Sequence, residues 1–162
     1  MNDRNELSRR LWLLRNQMEQ LACALEIQQL VLANNRLRWL PMVSENIEQI
    51  VADIRESDDD RVLITTRVAQ SLHLPDDASL LELAHAVGEP HGPLWQQTRL
   101  HLVSLQAEVD QFSSENRELT RRGLSSTNMV IGHLAGERHD TYDPEGSTAR
   151  LAPSGTRFDR TA

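Results

Sequence analysis

Six histidines, a run of three aspartates, one cysteine and scattered serines are the side chains from which this sequence would have to build any chemistry. His73, His85, His91, His101, His133 and His139 include no pair at the i, i+4 spacing that sets two imidazoles on one helix face beside a glutamate, so they predict no metal site. Asp58-Asp59-Asp60 puts its carboxylates at consecutive positions, whereas a calcium loop alternates its ligands and turns on a glycine. The run reads instead as a solvated helix surface or a local break. No serine sits in a Gly-x-Ser-x-Gly elbow, and no glycine occurs before residue 88 from which to make an oxyanion loop. All 17 basic residues are arginine, and without a lysine there is neither a Schiff-base amine nor a phosphate-loop lysine. The lone Cys23 excludes an internal disulfide and a thiolate cluster, and it is compatible with a reducing compartment. The expectation is a non-enzyme with no catalytic residue, no metal and no cofactor.

What is left to act is surface. With 24 acids against 17 arginines the net charge is -7, and six aromatics supply few stacking platforms, so nucleic acid is not an expected partner. The longest aliphatic stretches, such as Leu21 to Leu25, fall far short of the roughly 20 residues that span a bilayer. The N-terminus leads into only a short apolar group at Leu11 to Leu14 and lacks a signal-peptide core. A cytoplasmic protein without membrane insertion follows, and 162 residues make one domain.

The elements that would carry such a surface are helices. Leu7, Leu11, Leu14, Met18, Leu21 and Leu25 alternate spacings of four and three, a heptad seam for packing against another helix, and Asn34-Asn35 supplies a stop. A second helix is expected from about Arg36 to Leu72, through Leu37, Leu40, Val43, Ile47, Ile50 or Val51, and Ile54; Pro41 fits it only in the first turn. The β-branched run Val62 to Val68 has strand propensity, but it has no visible partner strand and is read as helix. Asp77 is placed as the cap of a short helix over Ser79 to Val87, Gly88 to Pro93 as a tight connector, and Leu94 as the start of the last long helix. The expected fold is all-α: an elongated antiparallel bundle or coiled coil of three long helices with one short helix. Residues 1–136 form that domain, and 137–162, with one aliphatic residue, form a disordered tail.

The last helix carries a seam of Trp95, Thr98, Leu102, Leu105, Val109, Phe112, Asn116, Leu119, Gly123, Ser126 and Val130, whose chemistry turns polar after Phe112. From Asn116 to Leu134 the apolar residues Leu119, Leu124, Met129, Val130, Ile131 and Leu134 are too many for a solvated helix and too irregular for a tight core. Two readings fit: a core face with polar interruptions, or an amphipathic arm that accepts a helix from another protein. Gly123 in mid-helix costs about 1 kcal/mol relative to alanine and would mark a hinge between packed and binding halves.

Several blocks together resemble the FlgN-type flagellar export chaperones. These are the Leu-rich first helix; Arg36-Leu37-Arg38-Trp39-Leu40 followed by Glu45 and Ile47-Glu48-Gln49-Ile50; Glu115-Asn116-Arg117-Glu118-Leu119 with Arg122-Gly123-Leu124; and Thr141-Tyr142-Asp143-Pro144-Glu145-Gly146. The resemblance covers roughly residues 7 to 146. It implies a cytoplasmic chaperone of flagellar type III secretion that binds the C-terminal helical segments of hook-filament junction proteins, prevents their premature assembly and delivers them to the export apparatus. It also implies that client binding falls in the C-terminal half, on Asn116, Leu119, Gly123, Leu124, Met129, Val130, Ile131 and Leu134. The competing reading is a self-associating coiled-coil scaffold in which the same helix closes a homodimer. A helical transcriptional regulator is disfavoured by the acidic balance and the missing basic recognition helix.

Overall fold

The computed structural model describes residues 3–136, with side chains described as far as residue 132. The tail expectation for 137–162, Tyr142 and the side chain of Leu134 lie outside the described residues. Four α-helices follow one another: α1 (Asp3–Ala33), α2 (Leu40–Ser71), α3 (Leu80–Val87) and α4 (His91–Gly136), with a 3-10 turn at Leu37–Trp39 leading into α2. Among the described residues there is no strand, and they divide after Thr120 into two units.

Both long helices of the first hairpin end by the same device. Asn35 (φ 52°) and His73 (φ 57°) take the left-handed conformation just past the helix. At the first end Arg36 N–H donates to the Val31 carbonyl at 2.9 Å and Asn35 N–H to that of Leu32 at 3.1 Å. At the second, Leu74 N–H donates to Ala69 at 2.9 Å and His73 N–H to Gln70 at 3.1 Å. These are Schellman closures, which satisfy carbonyls the helix leaves without partners. Pro41 stands in the first turn of α2, where its missing N–H costs nothing. The β-branched run is helical: Thr65 and Thr66 spend their hydroxyls on the carbonyls of Arg61 and Val62, and Val68 is fully buried.

Within the first unit, α1 and α2 run antiparallel and α4 returns alongside α1. One apolar cluster joins Leu7 and Leu11 of α1, Val68 and Ala69 of α2, Leu83, Ala84 and Val87 of α3, and Trp95 of α4. Each fully buried Leu side chain here stabilises by about 1.5 to 3 kcal/mol relative to exposure. A second cluster joins Met18, Leu21, Ala22 and Leu25 to Val109, with Ile47, Ile50, Ile54 and Phe112 packed against it. The two meet at Leu102. At Leu102 lies a cleft of about 380 Å³, lined also by Leu14, Met18 and Ile54 and by the polar side chains Arg55, Asp58, Asp59 and Gln106. Polar links add to the pairing: Arg10 of α1 binds Glu6 at 2.9 Å and reaches Asp60 of α2 at 2.7 Å.

Two local expectations are corrected. The cap of α3 is Ser79 and not Asp77: the Ser79 hydroxyl accepts from Glu82 N–H at 3.3 Å while the Glu82 carboxylate accepts from Ser79 N–H at 2.7 Å. This reciprocal box satisfies two orphan donors where an aspartate two residues earlier could satisfy none so well. The last helix starts at His91, three residues before the expected Leu94, because Pro93 in a first turn gives up no hydrogen bond. Gly92 permits the close approach to α3. A Cβ there would stand 2.5 Å from the Ala84 carbonyl oxygen.

Candidate partner-binding surface

The residues of chemical interest are spent on structure. Ser8 lies beside His91, with 3.3 Å between its hydroxyl oxygen and Nδ1, but it donates its one proton to the Arg4 carbonyl at 3.0 Å. The same oxygen accepts the Trp95 indole N–H at 2.8 Å. The hydroxyl is therefore a fastening for buried Trp95 and is not set up as a nucleophile. Asp58 accepts from Arg61 at 2.7 Å and Asp60 pairs with Arg10, so two of the three consecutive aspartates on α2 are held by arginine. Among the described residues no group of three His, Cys, Asp or Glu side chains converges as a metal site. Glu6 lies below the usual carboxylate range, chiefly because it accepts hydrogen bonds from Arg9, opposed by partial burial and aided by Arg10. Glu82 is likewise lowered by the hydrogen bonds from Ser79.

The chemistry of α4 changes where the sequence seam turns polar. Trp95 is fully buried and Val109 nearly so. Asn116 is 4% exposed, its amide donating to the Leu25 carbonyl at 2.9 Å and to the Gln28 side chain at 3.0 Å. Gln28 in turn donates to Ser44 of α2 at 3.2 Å, so a polar layer runs α4 to α1 to α2. Alongside it Glu115 accepts from Gln29 of α1 and from Gln111. Asn116 thus belongs to the interior of the bundle, and its side chain is not presented to a partner. Leu119 is half-buried.

From Arg121 to Gly132 every residue is exposed. Leu124, Met129, Val130 and Ile131 have 57 to 67% of their surface open, an exposure that isolated apolar residues show but a run of large ones on one short segment does not. At about 100° per residue, Leu124, Val130 and Ile131 fall within an arc of about 120°, and Gly123 falls inside it. Met129 stands about 100° outside that arc. The segment therefore brings together Leu124, Val130 and Ile131 and leaves Met129 on another side. The helix passes through Gly123 without a break, and a Cβ there would meet nothing within 4 Å.

The family model described as FlgN protein matches residues 1–150. The chain belongs to the FlgN family. This is a family of flagellar export chaperones and not of enzymes, and it is associated with flagellar hook-associated substrates. No curated protein and no solved structure matches the chain. Among the described residues no helix of this FlgN-family chain is long and apolar enough to cross a membrane.

A second concentration of exposed apolar side chains was not foreseen as a surface. Ile27, Leu30, Leu37, Trp39 and Met42, at the turn from α1 to α2, are 45 to 60% exposed. Helical periodicity places Leu37 on a packed seam; the 3-10 turn takes it out of that register and leaves it exposed.

Proposed function

We propose that the chain works in the cytoplasm as a flagellar type III export chaperone, covering the C-terminal helical segments of hook-filament junction proteins until the export apparatus receives them. The observation that carries this reading is the exposure of Leu124, Val130 and Ile131 on one side of a helix in a FlgN-family protein. A client helix laid on that side would bury its own apolar face, which would otherwise polymerise, against these residues, with Leu119 at the margin and Leu134 further along the segment; Met129, on another side of the helix, stays outside this contact. Gly123 opens a slot in the same arc for a client side chain. Asn116 contributes by holding α4 to α1 and α2.

Full burial of a large aliphatic side chain is worth about 1.5 to 3 kcal/mol, and association with ordering of both partners consumes about 4 to 15 kcal/mol. Four or five contacts therefore give a reversible complex, as hand-over to an export apparatus requires. Native mass spectrometry and calorimetry of the full chain with a junction-protein C-terminal segment test the reading. One-to-one uptake is expected, weakened at least tenfold by Leu124→Asp or Ile131→Asp with helicity by circular dichroism unchanged. A stable homodimer that takes up no junction protein, or variants that lose helicity, would overturn it, favouring the scaffold or the core-face reading.

A further inference from the structure

From Ile27 to Ser44 the sequence contains no acidic residue, yet it carries Arg36 and Arg38, in a chain whose net charge is -7. This stretch is the end of α1, the 3-10 turn and the first turn of α2, where Ile27, Leu30, Leu37, Trp39 and Met42 are exposed. The Arg38 guanidinium lies 4.9 Å above the Trp39 ring, so cation and indole are presented together. Two of the turn's backbone N–H groups are engaged within the chain: Arg36 N–H donates to Val31 and Trp39 N–H to Arg36. The nearest carboxylates along the chain, Glu26 and Glu45, flank the stretch, and Glu115 of α4 is engaged by Gln29 and Gln111.

An amphipathic indole, arginines and aliphatic side chains at the tip of a helical hairpin match the interfacial region of a bilayer. Indoles sit at headgroup depth, guanidinium forks bind phosphate, and aliphatic side chains enter the acyl boundary. The sign of the charge selects anionic lipid. We propose that the α1–α2 turn docks on an anionic membrane surface, with Leu37, Trp39 and Met42 entering the headgroup region and Arg36 and Arg38 on lipid phosphates. The helices themselves remain outside the bilayer. This docking is independent of the client-binding side of α4.

The test uses the full chain carrying Trp12→Phe, which leaves exposed Trp39 and buried Trp95 as the indoles, and vesicles of phosphatidylcholine alone or with one quarter phosphatidylglycerol. A blue shift of Trp39 emission and co-sedimentation are expected with the anionic vesicles only, lost when salt is raised well above about 0.15 M. Each basic residue near such a surface strengthens adsorption about fivefold, so Arg36→Ser with Arg38→Ser should weaken it roughly 30-fold. Trp39→Ser should also weaken it, and Leu124→Asp with Ile131→Asp should change it less than twofold. No response to anionic vesicles, equal binding to neutral ones, or binding that follows Leu124 and Ile131 rather than the turn would overturn the proposal. Because the α4 variants report on the client side and the turn variants on lipid, failure of one reading leaves the other intact.

Discussion

Replacing Asn116 by leucine should make the protein more stable. Asn116 is buried, and its Oδ1 is closed off from solvent with no hydrogen-bond partner among the described residues. A buried acceptor left without a partner costs about 1 to 3 kcal/mol. Against that stand the two bonds of its amide, each worth about 0.5 to 1.5 kcal/mol net. Their loss falls at the low end of that range, because the Leu25 carbonyl lies within α1 and the Gln28 Oε1 that loses its donor belongs to a half-buried side chain whose Nε2 keeps its bond to Ser44. Leucine adds apolar burial worth about 1.5 to 3 kcal/mol when complete, less about 1 to 3 kcal/mol for fitting a larger side chain. The balance, with the two bonds at the low end of their range, is a gain of about 1 kcal/mol, which raises Tm by roughly 3 to 5 °C in a unit of this size. Thermal unfolding followed by circular dichroism, with urea titration for the free energy, reads it directly. A Tm below that of the parent would refute the reasoning, because the polar layer from Asn116 through Gln28 to Ser44 would then be contributing more than its unpartnered oxygen costs.

Gly92→Ala should destabilise by about 1 to 3 kcal/mol, since the new Cβ meets a backbone oxygen of α3 and that oxygen can move only with its helix; an unchanged urea midpoint would contradict the close approach. Glu6 has its folded-state pKa depressed by Arg9 and Arg10, so its contribution is present above its ordinary pKa of about 4.5 and is lost as pH falls through the depressed value. Tm measured from pH 6 down to about 3 should therefore fall less steeply for Glu6→Gln than for the parent, and parallel curves would show that the depression does not exist.

The long helices were legible because their signals are local. The seam from Leu7 to Leu25 and the stop at Asn34-Asn35 depend on spacing and on a residue that tolerates positive φ, and α1 follows both. The start of α4 was not legible, because His91-Gly92-Pro93 reads as a connector until α3 is in place to receive Gly92 at its Ala84 carbonyl. The cap of α3 was present as Ser79-x-x-Glu82, but Asp77 offered a competing cap two residues earlier, and only the closed box decides between them. Asn116 shows how a polar residue on a seam is ambiguous: its spacing is that of a core position and its chemistry that of a surface one. The Leu25 carbonyl and Gln28, more than 80 residues away in sequence, resolve it towards the core. Past Thr120 the same seam spacing continues onto exposed residues, so periodicity alone could not tell a packed face from an open one. The acid-free run around Arg36 and Arg38 was visible in the sequence throughout. Its meaning as surface needed the 3-10 turn that takes Leu37 and Trp39 out of helical register.

Hydrogen–deuterium exchange of the full chain, alone and saturated with the C-terminal helical segment of a hook-filament junction protein, tests the central claim most directly. The account predicts new amide protection concentrated between Arg121 and Gly136, with the exchange of Leu7 to Leu25 and of Val43 to Val68 unchanged. Protection confined to residues 3–120, or no protection at a concentration of segment that saturates binding, would contradict it.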